Sequence, residues 1–492
     1  MVVPGLPPGH APLPRGRHRD GRVLQHLRLR RRHPRLRLDP GPPRRVAPRR
    51  QRVPRHPRRL RAALAGGGRG DRRGPHHHRP PHRVRPPRRL IPRPHQHRSE
   101  HVIRVAVVGT GGISASHLQA YLDFPQRCTV VALVDVFPER AQARRREFGL
   151  EGAGVHTSHR ELLERGDVDL VSVCSPPSTH EEVSVDLLRA GVNVLCEKPM
   201  APSLAACDAI LRAEREGGAV FSSVAQNRFR DDVVRLKAAL DSGLAGPVSH
   251  VQVDSAWWRG LGYYDLWWRG TWAEEGGGCT LNHAVHHVDL LLWLLGAPRS
   301  VTAALTNAAH ENAEVEDLSV AVLAYERALA TITSSVVSHG ERQRIVVQGR
   351  RASVALDGEV VAELAQPNGF PAPEGDTELA GRLRALAAAH RPLAHTGHRG
   401  QVDDVLTALE TGCRPAVDGH DGRRTIELIT AIYRAGIERR TVDLPLSGDD
   451  PYARPGTLAE RAPRFFAKSA SVTDLAGSIS VPGSGAGIGA GR

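Results

Sequence analysis

In "NVLCEKPMA", residues 193–201, Glu197 and Lys198 close an apolar β-type run that ends at Pro199. Either charge, buried and unpaired, costs several kcal/mol, so this placement implies a site mouth rather than a core. A second concentration of reactive side chains stands in "GGGCTLNHAVHHVDLLLWLLG", 276–296, where a glycine run enters an apolar helix. On one continuous helix Asn282 and His286 share a face, as do His283 and His287, and Asp289 follows His286 by three. A Lys and a His brought to one oxygen form an acid/base pair. The imidazole takes a hydroxyl proton near neutral pH, and the ammonium stabilises developing negative charge. His283 and His287 also have the spacing of metal ligands, but no third donor stands at a recognisable position, so no metal is assigned.

A third stretch, "AWWRGLGYYDLWWRGTW", carries five of the six Trp together with Arg259, Tyr264 and Arg269. Aromatic faces among polar side chains suit a polyhydroxylated ring, which has apolar C–H faces and hydroxyl edges. Arg228 of "AQNRFR", Trp258, Asn282 and His286 are expected to face such a substrate.

Positioning these groups requires a sheet. From Ile103 the chain alternates apolar runs with amphipathic segments: "IRVAVVG", a helix over 113–123, "TVVALVD", a helix over 138–148, "DLVSVCS", a helix over 180–190, "NVLCE", a helix over 203–217, then "AVFSSVA". Near-continuous Val/Leu/Ala strands between helices predict a parallel, doubly wound sheet covered on both faces. The "VVGTGGIS" turn after the first run then places Gly109, Gly111, Gly112 and Ile113 at a helix N-terminus that receives a pyrophosphate. Asp135 ends the second run, where its carboxylate binds ribose hydroxyls and repels a 2′-phosphate, favouring NAD over NADP. Ligands of such sheets lie beyond the strands' carboxyl ends, so Ser175, Pro176 and His180 in "CSPPSTH" and Glu197 with Lys198 in "CEKP" are expected to line the nicotinamide side.

Beyond residue 225 the texture changes. A helix over 231–241, a helix over about 280–295 and consecutive strand-like runs from "VTAALTNA" to "ASVALDG" predict a second α/β domain with a large, mostly antiparallel open sheet. Helices over about 399–411 and 422–437 follow. The domains are expected at 102–225 for the dinucleotide and 226–455 for substrate and oligomerisation, with a flexible Gly/Ser-rich tail over 456–492.

The first hundred residues differ in kind. They hold 29 Arg, no Lys and four acidic residues, a net charge of +25, whereas the remainder nets −9, so the basic balance belongs to that stretch alone. Rich in Pro and His and devoid of aromatics, 1–101 reads as disordered. It lacks the aromatic faces of a nucleic-acid arm and is expected to be a start read too early, with Val102 as the natural beginning. No segment has signal-peptide or membrane-span character, and the six Cys form no CxxC pair, which points to a cytoplasmic protein.

Taken in order, "VVGTGGIS", "CSPPSTH", "CEKP", "GGGCTLNHAVHHVDLL", "GQVDDVLTALETG" and "GRRTIELITAIYRAG" resemble the glucose-fructose oxidoreductase/inositol dehydrogenase/rhizopine catabolism family, Gfo/Idh/MocA. The resemblance covers about 101–455. It implies a Rossmann domain with NAD, a catalytic lysine at Lys198, a proton-transferring histidine at His286, and a sugar, sugar derivative or cyclitol oxidised at a secondary hydroxyl by a dimer or tetramer. Asn282 stands where many sugar and inositol dehydrogenases have Asp. Two other outcomes fit the same frame: an NAD-dependent glycoside hydrolase that recycles its redox equivalents, and a non-catalytic nucleotide sensor.

Overall fold

The computed structural model describes residues 102–472; the expectations for 1–101 and for the last twenty residues lie outside them. Six parallel strands form the first sheet: β1 (Ile103–Val108), β2 (Cys128–Val134), β3 (Gly154–His156), β4 (Leu170–Val173), β5 (Asn193–Cys196) and β6 (Phe221–Ser223). Their order is β3-β2-β1-β4-β5-β6. Val105, Ala106 and Val107 are wholly buried in succession, because helices cover both faces and leave β1 no solvent side. The strand order reverses between β1 and β4, which opens a crevice at their carboxyl ends.

The second sheet has eight strands: β7 (Val248–Trp258), β8 (Ser300–Thr306), β9 (Leu318–Ala324), β10 (Leu329–Ser335), β11 (Val337–Gly349), β12 (Ala352–Ala355), β13 (Val360–Ala362) and β14 (Val442–Asp443). They run β13-β12-β11-β7-β10-β9-β8-β14, antiparallel except where β7 meets β10. Along β9, Ser319, Ala321 and Leu323 are buried while Val320 and Val322 are exposed, so one face is covered and the other is open. The expected pairing of a doubly wound parallel sheet with a large, mostly antiparallel open one is the fold observed.

The sheets are joined by chain from beyond both. The Gly397–Thr411 helix packs on the Ser114–Leu122 helix, and Val402, Val405 and Leu406 enter the same apolar cluster as β1. The Gly419–Glu438 helix touches β6, β8 and the Val285–Leu295 helix. Its glycines permit this closeness: a Cβ on Gly422 would stand 2.8 Å from Met200 Sδ, and one on Gly436 would stand 2.6 Å from Leu305 Cγ.

Three local features depart from the sequence reading. The helix expected over 280–295 is two, Cys279–Asn282 and Val285–Leu295, parted at His283 and Ala284. A helix over Thr377–Ala388, N-capped by Asp376, was not anticipated. Residues 456–472, placed by composition in a flexible tail, form the Thr457–Arg461 helix and then hydrogen-bond along the 265–272 loop and Asn312.

Candidate active site

Asp135 and Glu197 follow directly on strands of the first sheet and Ser175 stands two residues past β4, so one carboxyl edge presents all three. At Gly109, φ is +90° and a Cβ would meet Ser175 N at 2.5 Å, which presses the β1 turn against the end of β4. Gly111 and Gly112 are exposed and a Cβ there meets nothing within 4 Å, leaving their backbone open to a ligand. Ser114, at the third glycine position, is buried and donates to Gly111 O at 2.7 Å. Ile113 is half-buried against the β1 cluster. Beside this loop runs an open groove lined by Thr110, Gly111, Gly112, Arg140 and Arg144. Asp135 accepts from Thr110 N (2.8 Å), Thr110 Oγ1 (2.7 Å) and Phe137 N (3.0 Å), which fixes its carboxylate at the groove's head. Free backbone at the glycines, a fixed carboxylate twenty-odd residues on and room between them fit a dinucleotide.

Glu197 is 4 % exposed and fully engaged. Its Oε1 accepts from His117 Nε2 at 2.9 Å and His398 Nε2 at 3.1 Å, and its Oε2 accepts from Lys198 N at 3.0 Å. Burial alone would push this carboxyl up, but the two imidazoles outweigh it and hold it well below the usual carboxylate range. Burial keeps His117 neutral against the pull of Glu197. With its proton on Nε2, His117 Nδ1 accepts from Ser172 Oγ (3.0 Å), and Ser172 accepts from Tyr121 OH (2.7 Å), so His117, Ser172 and Tyr121 are all satisfied. These donor types could also hold a metal, but the shared oxygen is already bonded to both rings, and no metal is needed to explain their arrangement.

Lys198 and His286 line one narrow cavity, walled by Met200, Val224, Val285 and Ile426. Lys198 Nζ donates to Asn282 O at 3.1 Å, and its other two N–H groups have no partner among the described residues. Burial lowers its proton affinity and Arg269 adds to this, while Glu197 pulls it back up. His286 has no hydrogen-bond partner among the described residues. Burial, then the charge of Lys198, holds it well below the ordinary imidazole range, so it is neutral and able to accept a proton.

The remaining candidates divide. Ser175 Oγ bonds Thr179 Oγ1, and Pro176 starts the short 3₁₀ turn that follows. His180 is buried with a ring nitrogen 2.9 Å from each of Ser175 O and Pro199 O; its side chain ties the two cleft loops together instead of reaching a cofactor. Arg228, expected at the substrate, is buried in a bidentate pair with Asp289 (2.8 and 2.6 Å) and a contact to Asp421 (3.3 Å). The Asn282 side-chain amide donates to Gly277 O at 2.9 Å, so it closes the glycine turn, and it is the backbone carbonyl of Asn282 that accepts from Lys198. Trp258 lies on the outer side of β7, 45 % exposed and stacked on His339, while Trp257 turns inward beside His283. Strand parity decides that choice: successive side chains point to opposite faces. Because the helix breaks at His283, that residue faces Tyr263 and Trp257, and His287 is buried elsewhere beside Arg230.

The glycine run has its own support, which sequence spacing did not reveal. Glu316 accepts from Gly278 N (3.1 Å), Thr280 N (3.0 Å) and Tyr433 OH (2.9 Å). A Cβ on Gly278 would stand 1.8 Å from Glu316 O.

The chain has counterparts among known proteins. An oxidoreductase family with an NAD-binding Rossmann fold matches residues 103–225, and the Gfo/Idh/MocA C-terminal domain matches 233–355, together half of the chain. The chain belongs to the Gfo/Idh/MocA family. It is 25 % identical over 350 residues to inositol 2-dehydrogenase of Rhizobium meliloti, an alignment taking in 70 % of this chain and 99 % of that one. It is similar in structure to the WlbA dehydrogenase of Bordetella pertussis in complex with NADH and UDP-GlcNAcA (29 % identity, TM-score 0.61, 71 % of this chain and 99 % of that one). It is also similar to the aldose-aldose oxidoreductase of Caulobacter crescentus (26 % identity, TM-score 0.58, 70 % and 100 %). As a Gfo/Idh/MocA protein the chain is an NAD-dependent dehydrogenase. No described helix is long and apolar enough to cross a membrane.

Proposed function

We propose that this protein oxidises a secondary hydroxyl of a sugar, sugar derivative or cyclitol, with Lys198 and His286 handling the proton. The observation that carries the reading is the convergence of these two side chains in one cavity, His286 neutral and unengaged, Lys198 with two free donors. Bound NAD supplies the hydride acceptor. His286 takes the hydroxyl proton as the C–H bond breaks and the carbonyl forms, and Lys198 donates to the same oxygen while negative charge develops on it. Asn282 O orients the ammonium by accepting one of its hydrogens. Inositol 2-dehydrogenase and aldose-aldose oxidoreductase, which this chain covers over 99 % and 100 % of their length, support a polyol or sugar substrate.

The test follows the absorbance of reduced nicotinamide in the full chain incubated with NAD and a panel of sugars, sugar acids, inositols and glycosides. A substrate-dependent rise is expected. Release of an aglycone with no net reduction would reassign the chemistry to internal redox recycling.

A further inference from the structure

The loop that follows β7 carries two arginines, and the charge of one of them, Arg269, acts on Lys198. The Arg269 guanidinium lies 4.2 Å from the Trp268 ring and 4.4 Å from the Tyr263 ring, with Nη1 bonded to Glu275 Oε1 at 2.9 Å. The Arg259 guanidinium lies over Trp257 (5.3 Å) and Tyr263 (5.8 Å), and its Nη1 bonds Trp258 O and Glu341 Oε1, both at 2.6 Å. Each arginine thus uses one terminal nitrogen, and Nε and Nη2 of both lack partners among the described residues. Aromatic stacking fixes the guanidinium planes, so these donors are held in place in advance.

His283 completes the group. It is 8 % exposed, its ring stands 5.6 Å from that of Tyr263, and its Nδ1 has no partner among the described residues. Nε2 stands 3.4 Å from Tyr263 OH, and in the tautomer in which that hydroxyl donates, Nδ1 carries the proton and is one more unengaged donor. Burial, then the charges of Arg269, Arg259 and Lys198, hold His283 well below the ordinary imidazole range. A neutral polyol needs donors and acceptors in similar number, since each hydroxyl is both. Here the free groups are almost all donors, the set that matches an oxyanion.

We propose that the substrate carries a carboxylate, a uronate or aldonate, bound by Arg269, Arg259 and His283 while its reacting hydroxyl lies at Lys198 and His286. This rests on the reading that those two residues hold the reacting oxygen. Planar forks with two free donors each suit a carboxylate, and a buried donor left empty by a neutral sugar penalises that sugar.

Calorimetric titration of the NAD-loaded full chain tests this, using D-glucuronate, D-galacturonate and D-gluconate against D-glucose, D-galactose and myo-inositol. At least one acid is expected to bind about tenfold more tightly than its neutral parent. Arg269→Gln should narrow that ratio to about threefold or less, and Arg259→Gln should do the same independently should the first variant fold poorly. Equal affinity for acid and parent, no binding by any of the acids, or an unchanged ratio in the folded variants would overturn the proposal. So would tighter binding of D-glucose 6-phosphate than of D-glucuronate, which would make the anion a phosphate. Reduction of NAD, scored separately, tells the two readings apart. Neutral sugars oxidised while acids go unbound would remove the carboxylate site and leave the dehydrogenase; acids bound without reduction would do the reverse.

Discussion

Glu197 shows how one side chain can be buried and charged at once. Its two oxygens accept three hydrogen bonds, from residues 117, 198 and 398, and those bonds offset a desolvation that would otherwise neutralise it. The retained charge acts on Lys198 by holding its proton affinity up against burial. Turnover should therefore rise with pH as His286 loses its proton, below the ordinary imidazole value, and fall again as Lys198 loses its own, below the ordinary lysine value. In Glu197→Gln the support for Lys198 is gone, so the alkaline limb of kcat/KM should move to lower pH. An unmoved limb would show that Glu197 does not act on Lys198. Lys198 and His286 were legible in the sequence because a strand end and a glycine run mark their places. Arg228 was misread because Asp289 and Asp421, its partners, stand 61 and 193 positions away, and nothing near Arg228 signals an ion pair. Trp258 was chosen over Trp257 because adjacent aromatics give no parity until β7's inward face is known.

Among the elements, the glycine run illustrates what spacing leaves out. "GGGCTLN" announces a tight turn into a helix, but the reason for the glycines is Glu316 and Tyr433, which arrive from β9's approach and from the Gly419–Glu438 helix. The Glu316 carboxyl is wholly buried, and that burial pushes it up to about 7. In the unfolded chain it titrates near 4.5. Between these values the unfolded state releases a proton that the folded state keeps, so the contribution of this group to stability falls as pH rises from about 4.5 to about 7 and is level on either side. Glu316→Gln should remove that slope: the difference in melting temperature between wild type and variant should change across this interval and be constant above it. A difference that is flat throughout would mean that Glu316 ionises normally. The break at His283 was illegible for a related reason. Helical periodicity continues through "NHAVHH", and only the packing of His283 against Trp257 and Tyr263 interrupts it.

At the scale of the molecule, the two sheets were predictable from the order of the runs, the parallel one from unbroken apolar runs between helices and the open one from consecutive strand-like runs. Their interdependence was not. The Gly397–Thr411 helix supplies His398 to Glu197, and its Gln401 accepts from Ala225 N (2.9 Å) and donates to Ser223 O (2.8 Å), so a helix far along the chain closes the site begun by β1. Leu406 is fully buried in the β1 cluster. Leu406→Ala should cost about 2–5 kcal/mol of stability by thermal or denaturant unfolding. It should also weaken NAD binding, although it touches no part of the groove. Stability lost with dinucleotide affinity intact would mean that the two sheets' covers are energetically separate.

The central claim is that NAD binding and proton handling reside in different residues of one cleft. The most direct measurement takes Lys198→Met and His286→Gln, titrates NAD into each by fluorescence, and sets those affinities beside turnover on the substrate that the wild type oxidises. The account predicts dinucleotide affinity within a few-fold of wild type for His286→Gln and turnover lower by about 10²-fold or more in both variants. Turnover close to wild type in either variant, with the fold intact, would contradict it.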